Sequence, residues 1–461
     1  MGQHNEFEGW DQIRRRLRQD EGLPFSQLLT PERVQRALDA LGVKFRKRVY
    51  TPIVTLWTFL SQALAADHSC LDAVARVLAW RLSQGLAPCS TDTTSYCTAR
   101  QRLPVELLQT LVRDSGRELE GTAERAWLWK ERHVKSVDGT TVTMPDTPEN
   151  QAAFPQSRNQ APGVGFPIAR VLTIFSLAVG AVLDVALAPM RGKKTGETTL
   201  FRTLDQALNP GDIVLGDRLF AGYRDVARLR QRNVDGVFRQ HASRETDFRR
   251  GRWLTLYDHI VVWKRPRFHP DRFTRAEWET LPAETEVREI RYLVAQPGFR
   301  PTEITLVTTL LDPVKYPKEE LAALFRQRWN AEVDFGSLKS SLQMDHLRCK
   351  TPEMVEKEIW THCLAYNLIR QTMAEAARAE NVLPREISFM ATVQMVNAFA
   401  TYLPLYPSQR DHFWKELLHA IATHAVGNRL NRFEPRKLKY RPGKYTYMRL
   451  PRNEERRRLC A

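Results

Sequence analysis

No Gly-rich phosphate loop of the GxxxxGK type occurs in the 461 residues, so nothing implies ATP. The eleven histidines are scattered, without an HxxxH pair or a His/Cys cluster, which removes the usual zinc arrangements. His133, five residues ahead of Asp138, reads as structural. Six cysteines, none in a CxxC pair, exclude a disulfide scaffold. The polar opening MGQHNEFEGWDQ lacks a signal-peptide pattern, and with the unpaired thiols it predicts a reducing cytoplasm. One membrane-like run exists, VLTIFSLAVGAVL from Val171 to Leu183, and it falls short of the about 20 residues a membrane helix needs. Asp184 follows at once, and two buried strands meeting near Gly180 account for the run. No membrane association is expected. Internal repeats and low-complexity segments are missing too.

What is present is positive charge. Lys and Arg number 69 against 53 Asp and Glu, a formal net charge of +16. Such a surplus points to a polyanionic partner, because a basic surface gathers phosphate by releasing counterions. Residues up to about 130 show helical periodicity, clearest in Ile53 to Leu64 and Cys70 to Leu82. Three basic clusters fall there: Arg14, Arg15, Arg16 and Arg18; Lys44, Arg46, Lys47 and Arg48; and Arg100 with Arg102 after Tyr96. A single cluster is as readily a solvated face, but three in one helical domain favour contact with a DNA backbone.

From Val134 the texture turns to strand: VKSVDGTTVTM, then runs at Arg170 to Leu177 and Ala181 to Ala188. A loop with Arg191, Lys193 and Lys194 leads to a predicted helix at Thr198 to Leu208. The strand DIVLGDRLF, the helix YRDVARLRQRN and the strand GVFRQ follow. Three meandering strands followed by strands that alternate with helices give the ribonuclease-H-like order. Between Arg244 and Asp312 the runs WLTLYDHIVVW, EVREIRYLVAQ and EITLVTTLL predict a β-rich insertion. Beyond Thr351 the chain reads as helical to about Val426, and a basic tail with Tyr440, Tyr445 and Tyr447 follows. The predicted fold class is α/β, with an N-terminal helical DNA-binding domain (1–130), a core in two parts (131–243 and 315–378), an insertion (244–314) and a helical, basic C-terminal region (379–461).

Leu324 to Leu342, LFRQRWNAEVDFGSLKSSL, is free of proline and reads as one continuous helix, with Gly336 a weak link costing about 1 kcal/mol. Leu324, Ala331, Phe335, Leu338 and Leu342 form its apolar stripe, while Phe325, Arg328, Glu332 and Lys339 share a neighbouring face. Two further acids, Asp138 in SVDGT and Asp217 in LGDRL, stand where strands give out. If those strands are neighbours, both carboxylates emerge at one sheet edge. Three carboxylates suit a pair of Mg²⁺ ions, which take oxygen ligands and serve phosphodiester chemistry. The bland alternatives are turn-forming aspartates, an Asp217–Arg218 pair, and salt bridges from Arg328 and Lys339 to Glu332. Asp184, Asp212 and Asp334 are weaker competitors for the site by their positions, and Asp146 is a real one for Asp138.

These residues resemble the DDE transposases of bacterial insertion sequences, in particular the cut-and-paste group with a Tyr-Arg-Glu-Lys signature. Arg328, Glu332 and Lys339 keep the signature's spacing, and Phe325 stands where the group has tyrosine, without its hydroxyl. SVDGTTVTMPDTPENQAAFP and DIVLGDRLFAGY resemble the family's two aspartate segments, TSYCTARQRL resembles a helical segment of its amino-terminal domain, and EPRKLKYRPGKYTYMRLPR resembles its tail. The likeness implies a triad of Asp138, Asp217 and Glu332 holding two Mg²⁺ ions, which Mn²⁺ can replace. It further implies that Arg328 and Lys339 contact phosphates of the transposon's terminal inverted repeats, that a synaptic homodimer forms on DNA, and that the freed 3′-hydroxyl attacks target DNA. Second-strand cutting through a hairpin would need an aromatic to receive a flipped base. Trp253, Tyr257, Trp263 and Trp329 are candidates, and a buried structural role is the expectation for each. The rival readings are a nuclease on the same core and an inactive descendant that only binds DNA.

Overall fold

The computed structural model describes residues 29–45, 48–267, 275–294, 302–402, 406–426 and 447–460. The first basic cluster, Arg46 and Lys47, and most of the basic tail, with Tyr440 and Tyr445, lie outside these residues.

Five helices come first: α1 (Pro31–Ala40), α2 (Pro52–Leu64), α3 (Cys70–Ser83), α4 (Thr94–Arg102) and α5 (Val105–Gly121). Local chemistry starts three of them. The side chains of Thr30, Thr51 and Ser69 accept from the N–H three residues on, and proline follows directly in α1 and α2.

The sheet section runs β1 (Val134–Thr143), α6 (Pro148–Ala153), β2 (Ile168–Ser176), β3 (Val182–Pro189), α7 (Glu197–Phe201), β4 (Ile213–Gly216), α8 (Tyr223–Gln231) and β5 (Asp235–Arg239). It continues through β6 (Arg252–Thr255), β7 (Asp258–Lys264), α9 (Arg275–Glu279), β8 (Glu284–Val294) and β9 (Thr302–Thr308). All nine strands make one sheet of order β3-β2-β1-β4-β5-β9-β8-β7-β6. β1, β2 and β3 pair antiparallel, whereas β4 lies parallel to β1 and β5 parallel to β4. The apolar run at 171–183 is indeed two strands, reversed at Gly180, whose φ of +76° suits glycine. The stretch expected as an insertion joins the same sheet: β9 pairs antiparallel with β5 and so covers what would otherwise be a bare strand edge. The helix predicted at 198–208 is α-helical only through Phe201 and continues as a 3₁₀ stretch to Ala207, with Leu204 off helical geometry.

The closing helices are α10 (Lys318–Arg326), α11 (Trp329–Gly336), α12 (Pro352–Glu380), α13 (Phe389–Tyr402), α14 (Arg410–Thr423) and α15 (Arg452–Cys460). The expectation of one unbroken helix over 324–342 is therefore corrected. Its backbone stays near helical angles, but the winding changes twice. Arg328 N–H bonds to Phe325 O and Ala331 N–H to Arg328 O, three residues back, which tightens the turn between α10 and α11. Ser337–Ser341 then widens into a π-helical turn, with Leu342 N–H reaching Ser337 O five residues back. The absence of proline could not reveal either change.

Helices cover both faces of the sheet. Val142, Val171, Phe175 and Val182 pack with Trp360, Leu364 and Ile369 of α12, while Val137, Leu172, Ile174 and Val214 meet Phe201, Val226 and Leu229 on the other face. Asn367 ties the layers together: its side-chain amide bonds both N–H and C=O of Val182 and also reaches Val112 O and Ser115 Oγ on α5.

Candidate active site

The register of β1 on β4 places the first two acids. The ladder ends at Ser136 opposite Leu215, so Asp138 and Asp217 each lie two residues beyond the last pair, level with one another at one edge. Asp138 is inside β1 rather than at its end. The strand runs on to Thr143 against β2, but past Ser136 it has lost its β4 neighbour, and the carboxylate stands at that opening. Asp217 caps the short 3₁₀ turn Arg218–Phe220, its Oδ1 accepting from Leu219 N–H at 2.7 Å.

α11 brings the third acid. Arg328, at the tight turn, lies 3.8 Å from Asp138 Oδ2 and 3.2 Å from Glu332 Oε1, so one guanidinium links the sheet edge to the helix. Lys339, in the π-helical turn, does not pair with Glu332; its Nζ donates to Thr140 Oγ1 on β1 at 3.2 Å. Burial drives the Asp138 carboxyl up to about 6, Asp217 and Glu332 push the same way, and the Gly139 N–H and Arg328 oppose them. Asp138 thus lies within reach of the charges of both other carboxylates.

Among the described residues no three acidic, His or Cys side chains close tightly enough to grip an ion as they stand. A guanidinium instead stands between two of the carboxylates as a counter-cation. The donor set, carboxylate oxygen throughout, fits a hard divalent ion that would share that position.

The competing aspartates are committed elsewhere. Asp184 is buried against Arg113 and Gln206, Asp212 against Lys135, and Asp334 against Arg370 and Arg385. Asp146 is exposed and bonds Gln151.

Other expected contacts are placed differently. Phe325 is buried in one apolar cluster with Leu321 and Leu324. Arg100 is buried too, bonded to Gln62, Cys70 and Cys97 and stacked on Phe59 and Tyr96. Rings and thiols hold the guanidinium expected to contact DNA backbone. Arg102 is exposed, and it lines a cleft of about 350 Å³ together with Lys44 and Arg48, so two of the basic clusters meet there. Of the four aromatics only Trp263 is buried, bonding Glu289; Trp253, Tyr257 and Trp329 are 67%, 47% and 52% exposed.

Sequence reasoning missed Glu197. Its carboxylate packs against the backbone beside Asp138: a Cβ on Gly139 would meet Glu197 Cδ at 2.8 Å. Burial raises its carboxyl, Arg170 at 3.6 Å opposes, and the charge of Asp217 adds. An acid at the first turn of a helix reads as an ordinary dipole partner, so no sequence signal could single it out.

Residues 129–368 match the family described as the transposase DDE domain. The transposase InsG of insertion sequence element IS4 from Escherichia coli is 27% identical, over 90% of this chain and 92% of that one. The putative transposase InsL of element IS186A from Escherichia coli is 41% identical over a 64-residue stretch, 14% of this chain and 17% of that one. The cryo-EM structure of a piggyBac transposase synaptic complex with hairpin DNA superposes with a TM-score of 0.44 at 9% identity, over 87% of this chain and 85% of that chain. With more than half its length matched, the chain belongs to the transposase DDE domain family, and it is a DNA-cleaving and DNA-joining enzyme.

Proposed function

We propose that the chain excises a transposon at its terminal inverted repeats and joins it to target DNA, with Asp138, Asp217 and Glu332 as the catalytic carboxylates. The observation that carries this reading is the convergence at one sheet edge: Asp138 on β1 level with Asp217 just past the end of the parallel β4, and Arg328 bridging Asp138 to a glutamate on a packed helix. The strand order β3-β2-β1-β4-β5 supports a ribonuclease-H-like core over 131–243 and 315–378. Residues 1–130 would bind DNA, 244–314 would be an insertion that extends the sheet, and 379–461 would form the C-terminal region.

The three carboxylates would hold two Mg²⁺ ions, or Mn²⁺ in their place. When bound, such ions activate the attacking oxygen and stabilise the leaving one. The protein's own part is positioning. Asp138 and Asp217 are held by strand register, and Glu332 by helix packing against β1. Arg328, held between Asp138 and Glu332, would contact phosphate at this edge, and its fork of donors suits two phosphate oxygens. Lys339, anchored at Thr140, supplies a point charge along the same strand edge. Second-strand cutting through a hairpin, in a homodimer that pairs the two ends, completes the cut-and-paste reading. The exposed Trp253 and Trp329 support it as rings open to a flipped base.

The test is cleavage of a labelled duplex carrying the element's own end, with Mg²⁺ or Mn²⁺. Wild type should nick at the end, while Asp138→Ala, Asp217→Ala and Glu332→Ala bind but do not cut. An alanine variant that still cuts removes that acid from the triad, and nicks without joined products favour a nuclease.

A further inference from the structure

The loop between β3 and α7, residues 190–196, carries Arg191, Lys193 and Lys194 and takes no part in the chemistry above. It is built rather than slack. Gly192 has a φ of +125° and Lys194 a φ of +63°, a left-handed conformation that a lysine holds only when its surroundings enforce it. Thr195 Oγ1 donates to Gly192 O at 3.2 Å, closing the turn. Arg170 Nη1 donates to Thr195 O at 2.5 Å, and Arg170 Nε faces Glu197 at 3.6 Å. Arg170 sits on β2 opposite Thr141 of β1, three residues beyond Asp138. Glu197 packs on Gly139, the residue after Asp138. One arginine and one glutamate therefore fasten this loop to the strand that carries the first catalytic aspartate.

What the loop presents is charge without partners. Lys193 and Lys194 are exposed and have no ion pair among the described residues, and Arg191 Nε is buried with no acceptor. Three cations within four residues beside an acidic site would repel nothing in a DNA substrate and would offset the cost of bringing phosphates toward carboxylates.

We propose that residues 190–196 form a phosphate clamp for the DNA strand that enters the site, with Arg191, Lys193 and Lys194 as the contacts and Arg170 and Glu197 as positioning residues. The clamp rests on the function proposed above. Its contacts are to phosphodiesters, so it reads no sequence and fixes register along the strand.

The experiment compares wild type with Lys193→Ala/Lys194→Ala, two exposed changes, on end-bearing duplex across a salt series. The double variant should weaken binding on end and random DNA alike, with the slope of log affinity against log salt shallower by about 0.9 for each phosphate that is no longer neutralised. Neutral methylphosphonates placed one at a time beside the cleavage point locate the clamped phosphate. One of them should weaken wild type and leave the double variant unaffected, because the same interaction is removed twice. Fully additive losses, or an unchanged slope, overturn the clamp while wild-type cleavage leaves the catalytic reading standing. Wild type that neither binds nor cuts the end overturns the reading beneath it.

Discussion

Asp138 is the residue at which competing forces are easiest to follow. Burial and two neighbouring carboxylates raise it from an ordinary 3.8 to about 6, and one N–H and one arginine hold it back. Without divalent cation the folded chain therefore keeps a proton that the unfolded chain has released between those values. Stability is greatest below about 4 on this account and declines as pH rises through 6. In urea titrations from pH 4 to 7, the stability of wild type relative to Asp138→Asn should fall as pH rises, the difference isolating this carboxyl from other groups that titrate in the same range. Gly139 makes a second residue-scale case. With a Cβ 2.8 Å from Glu197 Cδ, something must shift, so Gly139→Ala should reduce cleavage while DNA affinity holds within a few-fold, measured as single-turnover rate and Kd on one duplex.

At the scale of elements, α11 is held from behind. Asp334, fully buried two residues past Glu332, accepts from Tyr366 at 3.0 Å and from Arg370 and Arg385 at 2.6 Å each, and Arg385 also bonds Leu177 O and Ser176 O at the β2–β3 turn. Removing that one anion leaves buried guanidinium groups uncompensated. Asp334→Ala should cost about 3–5 kcal/mol in denaturant unfolding. α12 holds a different liability in His362, fully buried, its Nδ1 without a partner, its ring 5.8 Å from His68. Burial lowers His362 from 6.5 to about 3 and lowers His68 as well. The unfolded chain takes up protons below 6.5 that the folded chain refuses, so stability falls as pH drops from 6.5 toward 3. For His362 alone the loss at pH 5 is about 2 kcal/mol. Unfolding midpoints at pH 7 and pH 5 should differ less in His362→Leu than in wild type.

For the molecule as a whole, the +16 charge matters through its distribution. Arg102, Lys44 and Arg48 meet at one cleft of the helical part, and the 190–196 loop, Arg328 and Lys339 flank the acidic edge of the sheet. A DNA duplex spanning both would touch phosphates with about six or more of these cations. Affinity should then fall by about 10³-fold or more between 50 and 200 mM salt, read by fluorescence anisotropy. No helix of the described residues is long and apolar enough to cross a membrane.

Residue order alone determined the alternation of helices and strands, because hydrophobic period and capping side chains act within a few neighbours. The meander, the two parallel strands and the hairpin at Gly180 were all legible in that way. So was the spacing that sets Arg328 four residues before Glu332 on one helical face. Tertiary structure decided what depends on distant partners. Phe325 and Arg100 went to the interior because an apolar cluster and two aromatic rings were waiting there, which no local pattern encodes. The strands expected as an insertion joined the core sheet because β5 had an open edge. Glu197 became part of the site only because the chain between β3 and α7 folds back over Gly139. Periodicity is a property of the backbone, whereas the meeting of Gly139 with Glu197, far apart in the chain, is a property of the packed sheet.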